Sequence, residues 1–218
     1  FLAESGQRWW QTLPLGPTGA GNSPYQSHSS FAGNPLLISP EAMVERGWLE
    51  ESDLPEPVAA TDHVDYMEAI RTKNALIARA FARFSPADPD FHRFVAREKD
   101  WLQDYALFMA LTEAHPGRDW ADWPAPLATR EPGALAQARS AHDERIAFWC
   151  FTQWVFFTQW RRLKAYANER GVAIVGDAPI FIAPQSAEVW ARQDLFELDA
   201  EGRQQVVAGV PPDYFSAT

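Results

Sequence analysis

The spacing of hydrophobic and polar positions changes character twice along the chain. Near the start, Arg8-Trp-Trp-Gln-Thr-Leu-Pro-Leu15 predicts a short strand, stopped by the loop Gly16-Pro-Thr-Gly-Ala-Gly-Asn-Ser-Pro24. Before it, Phe1-Leu-Ala-Glu-Ser-Gly6 has the pattern of a final helical turn closed by glycine. Ser39 to Arg46 predicts a short helix, with Ser39 as N-cap, Pro40 at the first helical position and Gly47 closing it. From about Val64 to Tyr166 apolar residues recur three or four apart and the strand signal almost vanishes. Tyr66 to Phe84 and Phe91 to Ala114 predict two long helices, folded as a hairpin around Ser85-Pro-Ala-Asp-Pro89. A third helix is predicted from Ala134 to Glu169. Ile146, Trp149, Phe156, Trp160 and Leu163 lie on one stripe of it, and Phe148, Phe151 and Val155 on another. A helix apolar on two sides is wedged between layers, which makes Cys150 a core residue.

Gly171 ends this helix, and Val172-Ala-Ile-Val-Gly176 predicts a fully buried strand of the parallel-sheet kind, stopping at Asp177. Leu195 to Leu198 and Gln204 to Val207 flank Asp199-Ala-Glu-Gly-Arg203 as a hairpin would. Between the two parallel-type strands lie far more residues than the dozen or so that a crossover needs. The helical block therefore reads as an insertion on a barrel loop. The expected fold class is α/β: a partial (β/α)8 barrel, about two of its strands present, with a large α-helical insertion subdomain. The expected division is residues 1–60 as barrel, 61–145 as helical insertion and 146–218 as barrel again.

Charge narrows the partners. Among 218 residues, Lys and Arg number 19 and Asp and Glu 29, a net charge of −10, so nucleic acid and anionic membrane surfaces are not expected partners. No apolar run reaches the roughly 20 residues of a membrane span, and Phe1-Leu-Ala-Glu-Ser-Gly6 lacks the basic-then-apolar pattern of a signal peptide, so neither is expected. The single Cys150 cannot form an internal disulfide, which is compatible with a reducing compartment. A Gly-x-Gly-x-x-Gly after a strand, a phosphate loop, a Cys pair and a His-Glu-x-x-His are all missing, so nucleotide and structural zinc roles have little support. The five histidines, His28, His63, His92, His115 and His142, are scattered and read as surface or satisfied core residues.

The chemistry that stands out is carbohydrate binding. The chain has 10 Trp, and Asp177 ends a strand, the place where barrel folds carry functional groups. A carboxylate there can accept sugar hydroxyls, and aromatic rings can pack on sugar C–H faces, although core packing is the commoner fate of any one Trp. Trp9 and Trp10 are adjacent in a strand and must point to opposite sides. The stiff loop from Gly16 to Pro24 delivers Ser23, Tyr25 and Gln26 from the same strand edge.

These segments resemble a known family. Trp10-Gln-Thr-Leu-Pro-Leu-Gly-Pro-Thr-Gly19, Asn22-Ser-Pro-Tyr-Gln-Ser27, Phe31-Ala-Gly-Asn-Pro35, Asp104-Tyr-Ala-Leu-Phe-Met-Ala-Leu111, Phe151-Thr-Gln-Trp154, Val175-Gly-Asp-Ala-Pro-Ile-Phe181, Ser186-Ala-Glu-Val-Trp190 and Val207-Ala-Gly-Val-Pro-Pro-Asp-Tyr-Phe-Ser216 are similar, in order, to the amylomaltases. These are the 4-α-glucanotransferases, or disproportionating enzymes, of glycoside hydrolase family 77. The resemblance implies a cytoplasmic, cofactor-free enzyme that transfers α-1,4-glucan segments between malto-oligosaccharides by a retaining double displacement. It implies that Tyr25 stacks on the sugar at the cleavage point, Ser23 lines the neighbouring subsite and Asp177 bonds the donor sugar. Asp213, Tyr214 and Phe215 match the mobile loop that closes over the glucan groove. Ala20 stands where many members have Tyr, and Asn22 where Asp is frequent.

The family's catalytic nucleophile, in an Arg-x-Asp-His segment, its acid/base Glu and its third Asp match nothing before Thr218. No residue here is expected to be catalytic, and the chain alone is expected to be inactive, as a piece of a longer enzyme. Arg192-Gln-Asp194 is followed by Leu195, and His142-Asp143 lies in a helical pattern, so neither substitutes. The competing readings are a maltodextrin-binding module, a structural or partner-binding helical module, and a piece of another α-glucan enzyme.

Overall fold

The computed structural model describes residues 1–56, 62–207 and 209. Strand β1, Trp9–Gln11, pairs in parallel with β2, Ala173–Val175, in the register Trp9 to Ala173, Trp10 to Ile174 and Gln11 to Val175. Backbone bonds extend the ladder at both ends, from Ala173 N to Arg8 O at 2.8 Å and from Thr12 N to Val175 O at 2.9 Å. Because the strands are parallel, the loops after Gln11 and after Val175 leave from the same edge.

Helix α1, Pro40–Glu45, starts as its sequence predicts: Ser39 Oγ accepts from Ala42 N at 3.1 Å, and Gly47 follows at φ 72°. Helix α2, Tyr66–Arg83, is capped by Asp65, whose carboxylate accepts from Glu68 N at 3.0 Å. Helix α3, Pro89–Arg97, begins with Asp88 accepting from the Asp90 and Phe91 amides and with Pro89 in its first turn. Helix α4, Lys99–Ala114, follows at once.

The single helix expected from Phe91 to Ala114 is thus two. The break is at Glu98, at φ −94° and ψ 10°, where no glycine or proline announces it. Local bonds hold it: the Glu98 carboxylate accepts from Arg97 Nε at 2.7 Å and from Trp101 Nε1 at 2.9 Å, and on either side α3 and α4 each turn an apolar face to the core. The helix expected from Ala134 to Glu169 is likewise broken. After the short helix α5, Ala125–Ala128, come α6, Pro132–Ala141, and α7, Asp143–Glu169, joined at His142 at φ −117°.

Helix α7 is the central element. Residues Phe148, Trp149, Cys150, Phe151, Thr152, Gln153, Trp154, Val155 and Phe156 are all buried, so it is enclosed on all sides there, as the two-stripe pattern predicts. Rings of α2 and of the turn after it meet α7, with Phe84 and Phe151 centroids 4.7 Å apart and Phe81 edge-on to Phe148 at 5.6 Å. A Schellman motif closes α7: Gly171 N bonds Asn168 O, Val172 N bonds Ala167 O, and Gly171 takes φ 72°. One contiguous apolar core runs from Ala32 through α2, α4 and α7 to helix α8, Ala187–Ala191.

The strand at Ala173–Val175 is not fully buried as expected: Ala173 and Ile174 are half-buried and Val175 is exposed. Among the described residues the sheet has only two strands, so each keeps a free edge. The expected hairpin around Asp199–Arg203 reduces to one antiparallel bridge, Leu198 with Gln204.

Candidate functional site

The two loops that leave the same sheet edge meet. Tyr25 Oη donates to Asp177 Oδ2 at 2.7 Å, joining residues 152 positions apart. The hydrogen bond to Asp177, with some burial and the carboxylate's charge, raises the Tyr25 phenol above its ordinary pKa, so it stays protonated and donating. Tyr25 is nonetheless 43% exposed, leaving ring surface open to a ligand. Ser23 Oγ accepts from Tyr25 N at 3.3 Å and steadies the turn. A cleft of about 250 Å³ at the strand ends is lined by Thr12, Leu13, Gly176 and Asp177, among others. Three of the expected site residues, Ser23, Tyr25 and Asp177, are therefore together. Asp213, Tyr214 and Phe215 lie outside the described residues.

The loop carrying Tyr25 is held from two directions. Against α8, Ser29 Oγ donates to Glu188 Oε1 at 2.6 Å, Ser30 N donates to Glu188 Oε2 at 3.1 Å, and Ala187 N bonds His28 O at 2.9 Å. Burial raises the Glu188 carboxyl above its ordinary pKa, and these loop hydrogen bonds oppose that shift. Against α7, the Gln153 amide brackets Gly33: Oε1 accepts from Gly33 N at 2.7 Å and Nε2 donates to Gly33 O at 3.0 Å. Gly33 has to be glycine, since a Cβ would overlap the Phe156 ring, and a Cβ on Gly19 would overlap the Gln26 carbonyl oxygen.

With this geometry in place, comparison with known proteins is decisive. The family model described as 4-alpha-glucanotransferase, glycoside hydrolase family 77, matches residues 1–218. The chain belongs to this family. It is 53% identical over 223 residues to the 4-alpha-glucanotransferase of Thermus thermophilus and 46% identical over 225 residues to that of Synechocystis sp., each alignment covering 100% of this chain. It spans 44% and 45% of the length of those relatives. Among solved structures, the amylomaltase from Streptococcus agalactiae in complex with acarbose superposes with a TM-score of 0.92 at 36% identity, covering 99% of this chain and 44% of that one. The β1–β2 pair and the helices between are accordingly part of a (β/α)8 barrel with a helical insertion.

Family membership also clarifies the other candidates. The abundant Trp residues serve the core: Trp120, Trp123, Trp149, Trp154 and Trp190 are buried, and Trp9 and Trp10 are the exposed ones. Cys150 is buried as expected, and burial pushes its thiol up to about 12. Arg192 and Asp194 pair with each other at 2.9 Å on an exposed turn, not at a strand end. No helix among the described residues is long and apolar enough to cross a membrane.

Reasoning from sequence missed Gln153 and Glu188 as the residues that position the Tyr25 loop. A signal for Gln153 existed: Thr152-Gln153 is the polar pair inside the most buried apolar run of the chain. A buried amide there needs partners, and an irregular loop is where unpaired backbone groups are found.

Proposed function

We propose that this chain forms one wall of the glucan groove of a 4-α-glucanotransferase that passes α-1,4-glucan segments between malto-oligosaccharides by a retaining double displacement. The observation that carries the reading is the Tyr25–Asp177 hydrogen bond at the C-terminal end of two parallel strands, where barrel enzymes bind substrate. In this role the exposed Tyr25 ring stacks on the sugar at the cleavage point, Ser23 lines the neighbouring subsite, and Asp177 accepts a hydroxyl of the donor sugar. Asp213, Tyr214 and Phe215 belong to the loop that closes over the groove. Residues 1–60 and 146–218 are barrel, and 61–145 the insertion. The nucleophile, the acid/base and the third acid come from outside these 218 residues. An incoming sugar hydroxyl, with water excluded, resolves the glycosyl-enzyme. The enzyme works in the cytoplasm on neutral glucans, without a cofactor.

The experiment has two arms. The intact enzyme carrying this chain converts maltotriose into glucose and longer maltodextrins, and Tyr25→Ala lowers its kcat/KM by about 5- to 10-fold through the lost ring contact. Residues 1–218 alone form neither product. Glucose and longer oligosaccharides from the isolated chain, with host enzymes excluded, would place the catalytic carboxylates within it. An unchanged rate for Tyr25→Ala would refute the stacking role.

A further inference from the structure

Away from the Tyr25–Asp177 pair, a second cleft of about 570 Å³ opens where the end of α1 meets α3 and α7. Its walls carry Arg46, Arg93, Arg97 and Arg161, with Asp90 and Thr158 beside them and Phe94 and Trp154 beneath. This gathers positive charge in a chain whose net charge is −10.

Two of the arginines are matched locally: Arg93 pairs with Asp90, and Arg97 Nε bonds Glu98 Oε1 at 2.7 Å. Arg46 and Arg161 form no ion pair among the described residues. Arg46 lies over the rings of Trp48 and Trp154, at 5.4 and 5.8 Å from their centroids. Arg97 and Arg161 share the ring of Phe94, at 5.8 and 6.0 Å. Burial, and then the like charge of Arg97, lower the Arg161 guanidinium below its ordinary pKa, with Glu98 opposing.

Helix ends explain part of this arrangement. Arg46 caps the C-terminal end of α1 and Arg97 lies in the last turn of α3, where the helix dipole favours a cation. Arg161 has no such reason: it lies inside α7, with Nε held by Phe157 O at 2.9 Å and its charge facing Arg97.

We propose that this cleft binds a small phosphate-bearing anion, with Arg46 and Arg161 gripping the phosphoryl oxygens and Arg97 and Thr158 completing the contacts. A phosphoryl group presents several acceptor oxygens and nearly two negative charges, which suits two unpaired guanidinium forks better than a single carboxylate does. A neutral glucan is a poor match. Phe94 and Trp154 are each only 2% exposed, so they offer no stacking platform, and an uncharged sugar does nothing for the facing cations. Inorganic pyrophosphate and a hexose phosphate share the required chemistry.

The test is isothermal titration of the intact protein with pyrophosphate and, separately, with glucose 1-phosphate, at ionic strength held constant with sodium chloride. Saturable binding of at least one is expected, and the tighter of the two names the source. Arg46→Gln and Arg161→Gln each weaken it by about 10-fold or more. Arg203→Gln, whose side chain pairs with Asp122 elsewhere, leaves it unchanged. Without ligand, Arg161→Gln melts at or above the parent temperature because a like-charge contact is gone, so lost binding is not lost folding. No saturable heat with either probe, or binding that survives Arg46→Gln/Arg161→Gln, overturns the proposal.

Discussion

Replacing Gln153 with Leu keeps the side-chain volume close to that of the parent but removes both hydrogen bonds to Gly33 and the longer one from Nε2 to the buried Tyr105 Oη at 3.5 Å. Gln153 has no exposed surface, and Gly33 is buried against Phe156, so water cannot reach the abandoned N–H and C=O. Each orphaned group costs about 1–3 kcal/mol, and burying Leu in place of the amide returns about 1 kcal/mol. The net expectation is a loss of about 1–5 kcal/mol of folding stability. Gln159 provides the internal control, because it makes the same pair of bonds to Ser39, at 2.7 and 3.1 Å, in a half-buried position that water can enter. Gln159→Leu is expected to cost about 1 kcal/mol or less. Equilibrium urea unfolding of the parent and both variants, with unchanged m-values, measures the difference. If Gln153→Leu were no more damaging than Gln159→Leu, burial of the Gly33 backbone would not be what makes the bracket matter, and the account of how the Tyr25 loop is held would fail.

Acid stability offers another check. The Glu50 amide, with Arg83 and Arg79, holds Asp53 at about 2, below its ordinary 3.8. A carboxyl depressed in the folded state stabilises above its unfolded pKa and loses that contribution as pH falls toward 2. The stability gap between the parent and Asp53→Asn should therefore be full at pH 6 and shrink between pH 4 and pH 2 in urea titrations, whereas a constant gap would contradict the assignment. The Cys150 thiol, buried and pushed up to about 12, should resist iodoacetamide at pH 8 in the native protein and alkylate only in denaturant; rapid native labelling read by mass spectrometry would refute its burial.

Local signals were sufficient wherever a single turn decides the structure. Ser39 and Pro40 start α1, Gly171 stops α7, and the double apolar stripe marks α7 as enclosed, because capping bonds and side-chain periodicity are properties of residues a few positions apart. The order of motifs from Trp10 to Ser216 also sufficed for the family, and for bringing Ser23, Tyr25 and Asp177 forward as one site. What the sequence could not disclose are events between distant segments. The breaks at Glu98 and His142 leave no local signal, since neither residue type interrupts a helix by itself, yet the helices on both sides of each break contribute to one core. The Tyr25–Asp177 bond spans 152 positions, the Gln153 bracket 120, and the arginine cleft assembles from α1, α3 and α7. Helix and strand tendencies are written into neighbouring residues, but which loop meets which side chain depends on how the core packs, and only the tertiary structure decides that.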